Sequence, residues 1–477
     1  MIVEVGNLHS RIATATPEEA AFVDGYLSFE DPNARFKSGG GDGRTRLYNA
    51  FARSFPTGFL PLVTKAAREE AGIKLEVLDR RKVPVTFDPS ANLAWLRDYQ
   101  REGVDRIVER GRGILWHATG AGKTETLIGL TRALPCRWLF IAHRQGLADQ
   151  AADRYEKRAR EHGTGDGPAG RIYDGGWSEG ERITCVTFQS LYERLKDGDA
   201  KVMRLLAEAD AVAVDECHVL PANSFFQVAM ATSGAYYRVG LSGTPLARGD
   251  RRSIYAIAAL GPIVHRVKAE VLVKLGVLAR PHVRMTTVRQ ASSRATWAGV
   301  YGDLIVKSTL RNDALVRAMA GARKPALLFV KEVAHGRELV RRLGLAGITA
   351  EFVYGSHSLE YRKSVVRRLV AGHFDVLVCS VIFREGIDIP ELRAVGLGAG
   401  GKSTIAVLQE LGRGMRVDRD EAGNVREGGA EFEVYDIFDL GNKWTERHAK
   451  ERRRAYAAEG FETVVEGEQV RMRGVAK

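Results

Sequence analysis

The segment His117-Ala118-Thr119-Gly120-Ala121-Gly122-Lys123-Thr124 constrains this chain more than any other. Before it runs Gly113-Ile114-Leu115-Trp116, a short apolar stretch that reads as a buried strand; after it, residues 125–133 read as a helix. A strand, a Gly-rich turn ending in Gly-Lys-Thr and a helix make a backbone suited to holding phosphate. Gly120 and Gly122 let N–H groups converge on phosphate oxygens, and the helix N-terminus adds partial positive charge. Lys123 supplies a mobile cation and Thr124 a hydroxyl for Mg²⁺. Thr119, Gly120, Ala121, Gly122, Lys123 and Thr124 are therefore the candidate phosphate contacts. The strict form of this loop begins with a glycine where this chain has His117.

A second chemistry-bearing stretch, Ala211-Val212-Ala213-Val214-Asp215-Glu216-Cys217-His218, lies well downstream. An apolar strand delivers two adjacent acids at its carboxyl end, the edge at which open α/β sheets bind ligands. One carboxylate suits Mg²⁺, held through water, and the next suits polarising an attacking water. Further on, Gln409, Arg413 and Arg416 stand four and then three residues apart, one face of a helix. Two guanidiniums so placed can stabilise charge on a transferring γ-phosphoryl group.

The 477 residues have room for about three domains. A net charge of +12 favours a polyanionic partner, nucleic acid before membrane. The four cysteines lie far apart and form no metal-ligand pair, which predicts reduced thiols in a cytosolic compartment, no disulfide framework and no zinc. No apolar run reaches the ~18 residues of a membrane span, and the N-terminus lacks a signal-peptide pattern.

Residues 1–88 form a first block, with strands expected at 2–5 and 10–13, helices at 17–26 and 58–68, and a Gly-rich basic stretch from 37 to 46. Residues 83–89 read as a linker. From 96 to about 264, strands at 113–116, 138–142, 183–187, 211–214 and 238–241 alternate with helices. A second alternating block has strands at 326–330, 350–353, 376–379, 394–397 and 432–437. Such alternation predicts parallel sheets with crossover helices. The tail opens on an Arg-rich helix, 444–456, whose Arg447 to Arg454 read either as a solvated face or as a DNA contact. Arg341-Arg342 and Arg367-Arg368 are read as exposed, solvated helix faces.

In their order these motifs resemble those of superfamily 2 helicases, over roughly residues 93–440. Ala118 to Thr124 fits the family's Ala-x-x-Gly-x-Gly-Lys-Thr loop, and Asp215-Glu216-Cys217-His218 is similar to its DExH box. The resemblance implies Asp215 as metal organiser and Glu216 as the base. Leu96-Arg97-Asp98-Tyr99-Gln100 resembles the adenine-reading motif, implying Arg97 and Gln100 as nucleotide contacts. His143 and Arg144, then Thr187, Gln189 and Ser190, resemble two nucleic-acid backbone contacts; neither His143 nor His265 is read as catalytic. Leu241-Ser242-Gly243-Thr244-Pro245 matches the motif that couples hydrolysis to movement, implying roles for Ser242, Thr244 and His218. Leu327-Leu328-Phe329-Val330 fits the fourth motif. The run Ser380 to Pro390 matches the fifth, implying nucleotide contacts at Gly386 and Asp388. Gln409 to Arg416 matches the sixth, implying ATP held between two lobes with Arg413 and Arg416 as arginine fingers.

The first block carries a narrower resemblance. Asn33-Ala34-Arg35-Phe36-Lys37, the run Gly41 to Leu47, and Pro56 to Leu60 are similar to the N-terminal domain of phage UvsW-type recombination helicases. That implies DNA contacts at Arg35, Lys37, Arg44 and Arg46, with Phe36 and Tyr48 nearby; basic residues beside aromatics suit phosphate contact plus stacking.

The expectation is thus an α/β protein: two tandem RecA-like parallel-sheet lobes, 89–268 and 269–443, behind a small α+β N-terminal domain, 1–88, with a charged tail, 444–477. It predicts an ATP- and Mg²⁺-dependent DNA helicase or translocase, acting on branched DNA in the cytoplasm of a bacterium or phage-infected host. A monomer is the first expectation and an oligomer the alternative, with no membrane and no zinc. The rival functions are an RNA helicase, the motor subunit of a restriction system, and a nucleotide-gated DNA-binding module with little turnover.

Overall fold

The computed structural model describes residues 1–30, 43–162, 167–244, 254–380, 389, 391–401, 417–418, 420, 424–426 and 428–467. The chain divides into two compact units. One holds 1–117 and 122–266; the other holds 267–477 with the short segment 118–121.

The first unit is built on a seven-stranded sheet in the order Ile263–Val267, Arg112–His117, Tyr237–Ser242, Ala211–Asp215, Trp138–Ala142, Ile183–Thr187, Gly170–Ile172. From Arg112–His117 outward to Gly170–Ile172 every pairing is parallel. The central strands are continuous apolar runs because both faces are covered. Trp138–Ala142 is buried at every residue. Trp138, Phe140 and Ala142 belong to one core, whereas Leu139 and Ile141 belong to the core on the opposite face. The helix Lys123–Ala133 is buried from Glu125 to its end. That burial would strand the Glu125 charge, but Arg154 and Arg158 from the helix Gln145–His162 reach it at 2.9 Å each.

Residues 1–79 add a second, smaller sheet to the same unit. Its order is Ser54–Pro56, His9–Thr14, Ile2–Val5, Glu76–Asp79, antiparallel except for the last pairing. Two helices, Pro17–Tyr26 and Leu60–Ala71, cover it. The first is capped by Thr16, whose hydroxyl accepts from Glu19 N–H while Glu19 accepts from Thr16 N–H. A short antiparallel ribbon pairs Ser28–Glu30 with Arg44–Arg46. Val3, Ile12, Val23, Leu27, Phe55, Phe59 and Val63 form the core of this block, and Ala258 from the helix Ile254–Leu260 completes it. The block is therefore packed onto the large-sheet part of its unit. Asn7 reinforces the join: its amide donates to the carbonyls of Ser233 and Gly234, and its own carbonyl accepts from Arg112 at 2.7 Å.

The second unit carries another seven-stranded sheet, ordered Ala350–Val353, Val376–Ser380, Ala326–Val330, Ala394–Leu397, Glu431–Leu440, Arg280–Arg289, Glu462–Glu466. All its pairings are parallel. Two parallel sheets layered by helices are the tandem RecA-like lobes that the strand–helix alternation predicts. The helix Lys443–Ala458 is capped by Asn442 and does not lie free. Its Arg452 is buried, 2.8 Å from Asp436 and donating to the Gly401 and Ile437 carbonyls. The Arg-rich tail is thus partly an inward face, contrary to the solvated reading. Arg342 also departs from that reading, packed against Asp313 at 2.6 Å. No helix among the described residues is long and apolar enough to cross a membrane.

Gly58 sits where the N-terminal block meets the helix Ile254–Leu260. A Cβ there would lie 1.9 Å from the Ile257 carbonyl oxygen. Gly58→Ala is expected to cost about 1–3 kcal/mol by forcing the two backbones apart, measurable as a lower Tm. An unchanged Tm would mean that this contact does not hold the block in place.

Candidate nucleotide site and adjoining groove

Strand order explains the site. Arg112–His117 and Ala211–Asp215 flank the strand Tyr237–Ser242, all three running the same way. In register, Trp116 lies beside Ser242 and Asp215 beside Leu241. The phosphate-loop segment, the two acids and the Ser-Gly-Thr turn therefore leave the sheet from neighbouring carboxyl ends.

Gly122 begins the helix Lys123–Ala133 with φ 76°, a left-handed conformation that glycine adopts without a Cβ clash. Gln100 supports it from below. The Gln100 amide lies 3.4 Å from the Gly122 carbonyl, and its side-chain oxygen accepts from Arg97 N–H at 3.0 Å. A Cβ on Gly122 would stand 2.6 Å from the Gln100 amide nitrogen, so glycine is required there twice over. Gln100 is buried and Arg97 exposed at the start of the helix Asp98–Arg110.

Lys123 Nζ lies 3.5 Å from Glu216 Oε1. Glu216 holds φ 45°, a left-handed backbone on a residue with a Cβ, which turns its carboxylate back toward the loop. Its other oxygen is 3.2 Å from His218 Nδ1 and accepts from the Ser242 hydroxyl at 3.3 Å. The Ser242 hydroxyl also lies 3.2 Å from His218 Nδ1 and accepts from Thr244 N–H. Glu216, His218, Ser242 and Thr244 thus form one connected network. Burial works against the charge on Glu216, but Lys123 and then His218 outweigh it and hold its pKa well below the usual range. Burial, followed by the Glu216 charge, pushes Asp215 the other way. The pair is thus split into an ionised acid beside the lysine and a neighbour whose charge is disfavoured. A divalent cation would relieve that second acid, so Asp215 could hold a metal, beside Glu216 as the ionised neighbour.

A groove of about 650 Å³ lies beside this network in the same unit. It brings together His143, Arg144, Thr187, Gln189 and Ser190, the five residues predicted to touch nucleic acid in this region. His143 and Arg144 follow the strand Trp138–Ala142, and Thr187 ends the adjacent strand Ile183–Thr187, with Gln189 and Ser190 in the first turn of the helix Phe188–Lys196. Gln189 donates to the His143 carbonyl at 3.1 Å, and the Thr187 and Ser190 hydroxyls are 2.8 Å apart.

Two family models match consecutive parts of this chain. "Type III restriction enzyme, res subunit" covers residues 94–247, and "Helicase conserved C-terminal domain" covers 311–418. Together they span more than half of it, one on each sheet. The chain belongs to the superfamily 2 helicases. It is similar to "Putative helicase 22" of a Sulfolobus islandicus filamentous virus, 26% identical over 51% of this chain and 47% of that protein. It thus spans about half the length of that relative. It is also similar to the ATP-dependent DNA helicase uvsW of Enterobacteria phage T4, 24% identical over 84% of each. The solved structure of the ATP-dependent Type ISP restriction-modification enzyme LlaBIII bound to DNA shares the fold, with a TM-score of 0.56 and 15% identity over 83% of this chain and 32% of that one.

Several predicted residues of this helicase-family chain lie outside the described residues: Arg35, Lys37, Gly386, Asp388, Gln409, Arg413 and Arg416, with Pro245. Others were not foreseen. Trp116 donates its indole N–H to the Gly243 carbonyl at 2.8 Å, under the Arg266 guanidinium 3.7 Å from its ring. His117 Nε2 is 2.9 Å from His265 Nδ1, and His265 Nε2 is 3.2 Å from Glu102. Trp95 packs on the core, stacked on His162 at 4.7 Å. These partners are distant in sequence, and no local pattern announces them.

The site generates two expectations. Glu216→Gln, nearly isosteric, should bind ATP yet hydrolyse it at least about a hundredfold more slowly, whereas Lys123→Ala should fail in both, read by nucleotide binding and single-turnover hydrolysis. The second concerns pH. Burial, then His265 and Lys123, pushes His117 down to about 3. The unfolded chain takes up a proton near the ordinary value of about 6.5, so the stability from a neutral His117 is intact above that and lost as pH falls toward 3. His117→Gln should therefore lose less Tm than the parent between about pH 7 and about pH 5. It cannot remove the whole acid sensitivity, because His335 is likewise held at about 3 by burial.

Proposed function

We propose that this chain is an ATP-dependent DNA motor, a helicase or translocase, that acts on branched DNA in recombination, repair or replication restart. The observation carrying the reading is the network that ties Lys123 and Glu216 to Ser242 and Thr244 beside the His143–Ser190 groove. A nucleotide phosphate would draw Lys123 away from Glu216, and that rearrangement would be felt at Ser242, one strand over. Glu216 takes a proton from the attacking water, and Lys123 and the N–H groups of the loop hold the phosphates. Mg²⁺ at Thr124 and Asp215 would neutralise phosphate charge. The similarity to a phage DNA helicase supports DNA as the partner.

Motor contacts to the backbone position a strand without telling a junction from a plain one. Selectivity for branches therefore belongs to the N-terminal block, where Arg44 and Arg46 stand exposed on the short ribbon. The test is ATPase activity against single-stranded, duplex, forked and four-way DNA and against RNA. DNA should stimulate turnover, and binding should weaken with salt at a log–log slope of about −0.7 per phosphate contact on single strands. Stimulation by RNA alone would overturn the DNA assignment.

Deleting residues 1–88 is a poor probe of branch selectivity, because Ala258 would lose its cover. Replacing Arg44 and Arg46 together with Ala leaves that core intact. The double variant is expected to keep single-strand-stimulated ATPase and to bind forks several-fold more weakly. An unchanged ratio of fork to single-strand affinity would place branch recognition elsewhere.

A further inference from the structure

Phe51 is 101% exposed, as open as a phenylalanine in an extended peptide. The next most exposed aromatic residues among those described, Tyr361 and Phe87, reach 42% and 41%. A lone exposed apolar side chain needs no explanation by itself; three features of the turn that carries Phe51 make this one different.

First, the turn is held firmly at its feet. Asn49 and Ser54 exchange two backbone hydrogen bonds, 2.7 and 3.1 Å, and the Asn49 side chain accepts from Ala52 N–H at 3.0 Å. The Arg53 carbonyl accepts from Ile12 N–H at 2.8 Å, fastening the turn to the strand His9–Thr14. Second, the aromatic residues on either side point the other way. Tyr48 and Phe55 are both buried in the core of the N-terminal block. The same short segment thus commits two rings to the interior and holds the third in water. Third, the segment itself is basic. Residues 44–53 contain Arg44, Arg46 and Arg53 and no acid, with Asp24 3.8 Å from Arg46 and Glu30 opposite Arg44 as the acids that face the ribbon. Arg53 keeps φ 49°, a left-handed conformation that glycine would adopt more cheaply, yet the position carries a guanidinium.

A ring held in water on a pinned turn, in a segment with three arginines, matches an exposed base face flanked by phosphates. We propose that Phe51 is a stacking wedge that docks on the exposed base at a DNA branch point, with Arg53, Arg44 and Arg46 on the adjoining phosphates. This rests on the branched-DNA reading above and assigns it a residue. A base pair at a branch lacks a stacked neighbour on one side, so a ring placed there gains a partner without first prising a stack open. In continuous duplex the same ring would have to unstack a step, and a plain single strand offers no base pair at a duplex end for the ring to cap. The wedge therefore discriminates by geometry, which arginines alone cannot do.

The experiment uses the full chain with Phe51→Ala and Phe51→Trp, and a fork carrying 2-aminopurine at its first unpaired position. Phe51 makes no contribution to the core, so both variants should keep the parent Tm. Phe51→Ala is expected to bind the fork about tenfold more weakly, to abolish the 2-aminopurine fluorescence change and to remodel forks more slowly. Its single-strand-stimulated ATPase should match the parent. Phe51→Trp should retain fork affinity and the signal. If Phe51→Ala keeps both while the Arg44 and Arg46 double variant loses fork preference, the wedge is overturned and the N-terminal assignment stands. If neither substitution alters fork preference, the wedge is overturned and branch recognition lies outside this turn and ribbon. If Phe51→Ala loses only the capture of a protein partner, the ring serves protein recognition and the wedge is likewise overturned.

Discussion

A lysine ammonium and a glutamate carboxylate, both mostly buried and 3.5 Å apart, are the pair around which the first unit is arranged. Bringing two charges out of water costs several kcal/mol each, and their attraction offsets this only when geometry and further hydrogen bonds are good. Here Glu216 gains His218 and Ser242, and Lys123 stands at the head of a helix whose first N–H groups face the same way. The arrangement depends on the strand Tyr237–Ser242 lying between the other two. Had the order differed by one strand, Ser242 could not reach Glu216, and the loop and the acids would be joined by nothing that senses both.

Buried cations extend this order to the N-terminal block. Arg238 lies on the same central strand and is wholly buried. It donates to the Ala259 carbonyl at 2.7 Å and to the Thr232 carbonyl at 2.9 Å, at the carboxyl ends of two helices. Burial draws its pKa down to about 10, which still leaves it charged at neutral pH. One of those helices, Ile254–Leu260, supplies Ala258 to the N-terminal core. The block that carries Phe51 is therefore fixed to the strand that ends at Ser242. The surface proposed to read DNA shape gains from such a mount, because a ring on a mobile linker would lose affinity to the entropy of ordering it.

Much of this was legible in the sequence, and the reason is local. The strands 138–142 and 326–330 are apolar at every residue because two helical layers cover them, so composition alone marks them. Two edge strands escaped notice for the converse reason. Ile263–Val267 and Glu462–Glu466 are mostly half-buried or exposed and carry no apolar run. The Arg-rich helix 443–458 misled in a similar way. Charge density suggested solvent, but Asp436 on a neighbouring strand gives Arg452 a reason to face inward.

By itself the sequence determined the phosphate loop, the paired acids, the parallel α/β class and the family, since each is written in a contiguous run whose spacing encodes its backbone. Tertiary structure alone decided which distant groups meet. The split between Asp215 and Glu216 needs Lys123, contributed by the helix that follows another strand. The link from His117 through His265 to Glu102 joins residues far apart in the chain. The exposure of Phe51, beside the buried Tyr48 and Phe55, follows from which faces of a turn the core can reach. Burial, electrostatic environment and solvent access are properties of neighbours in space, and a linear pattern fixes them only where those neighbours are also close in sequence.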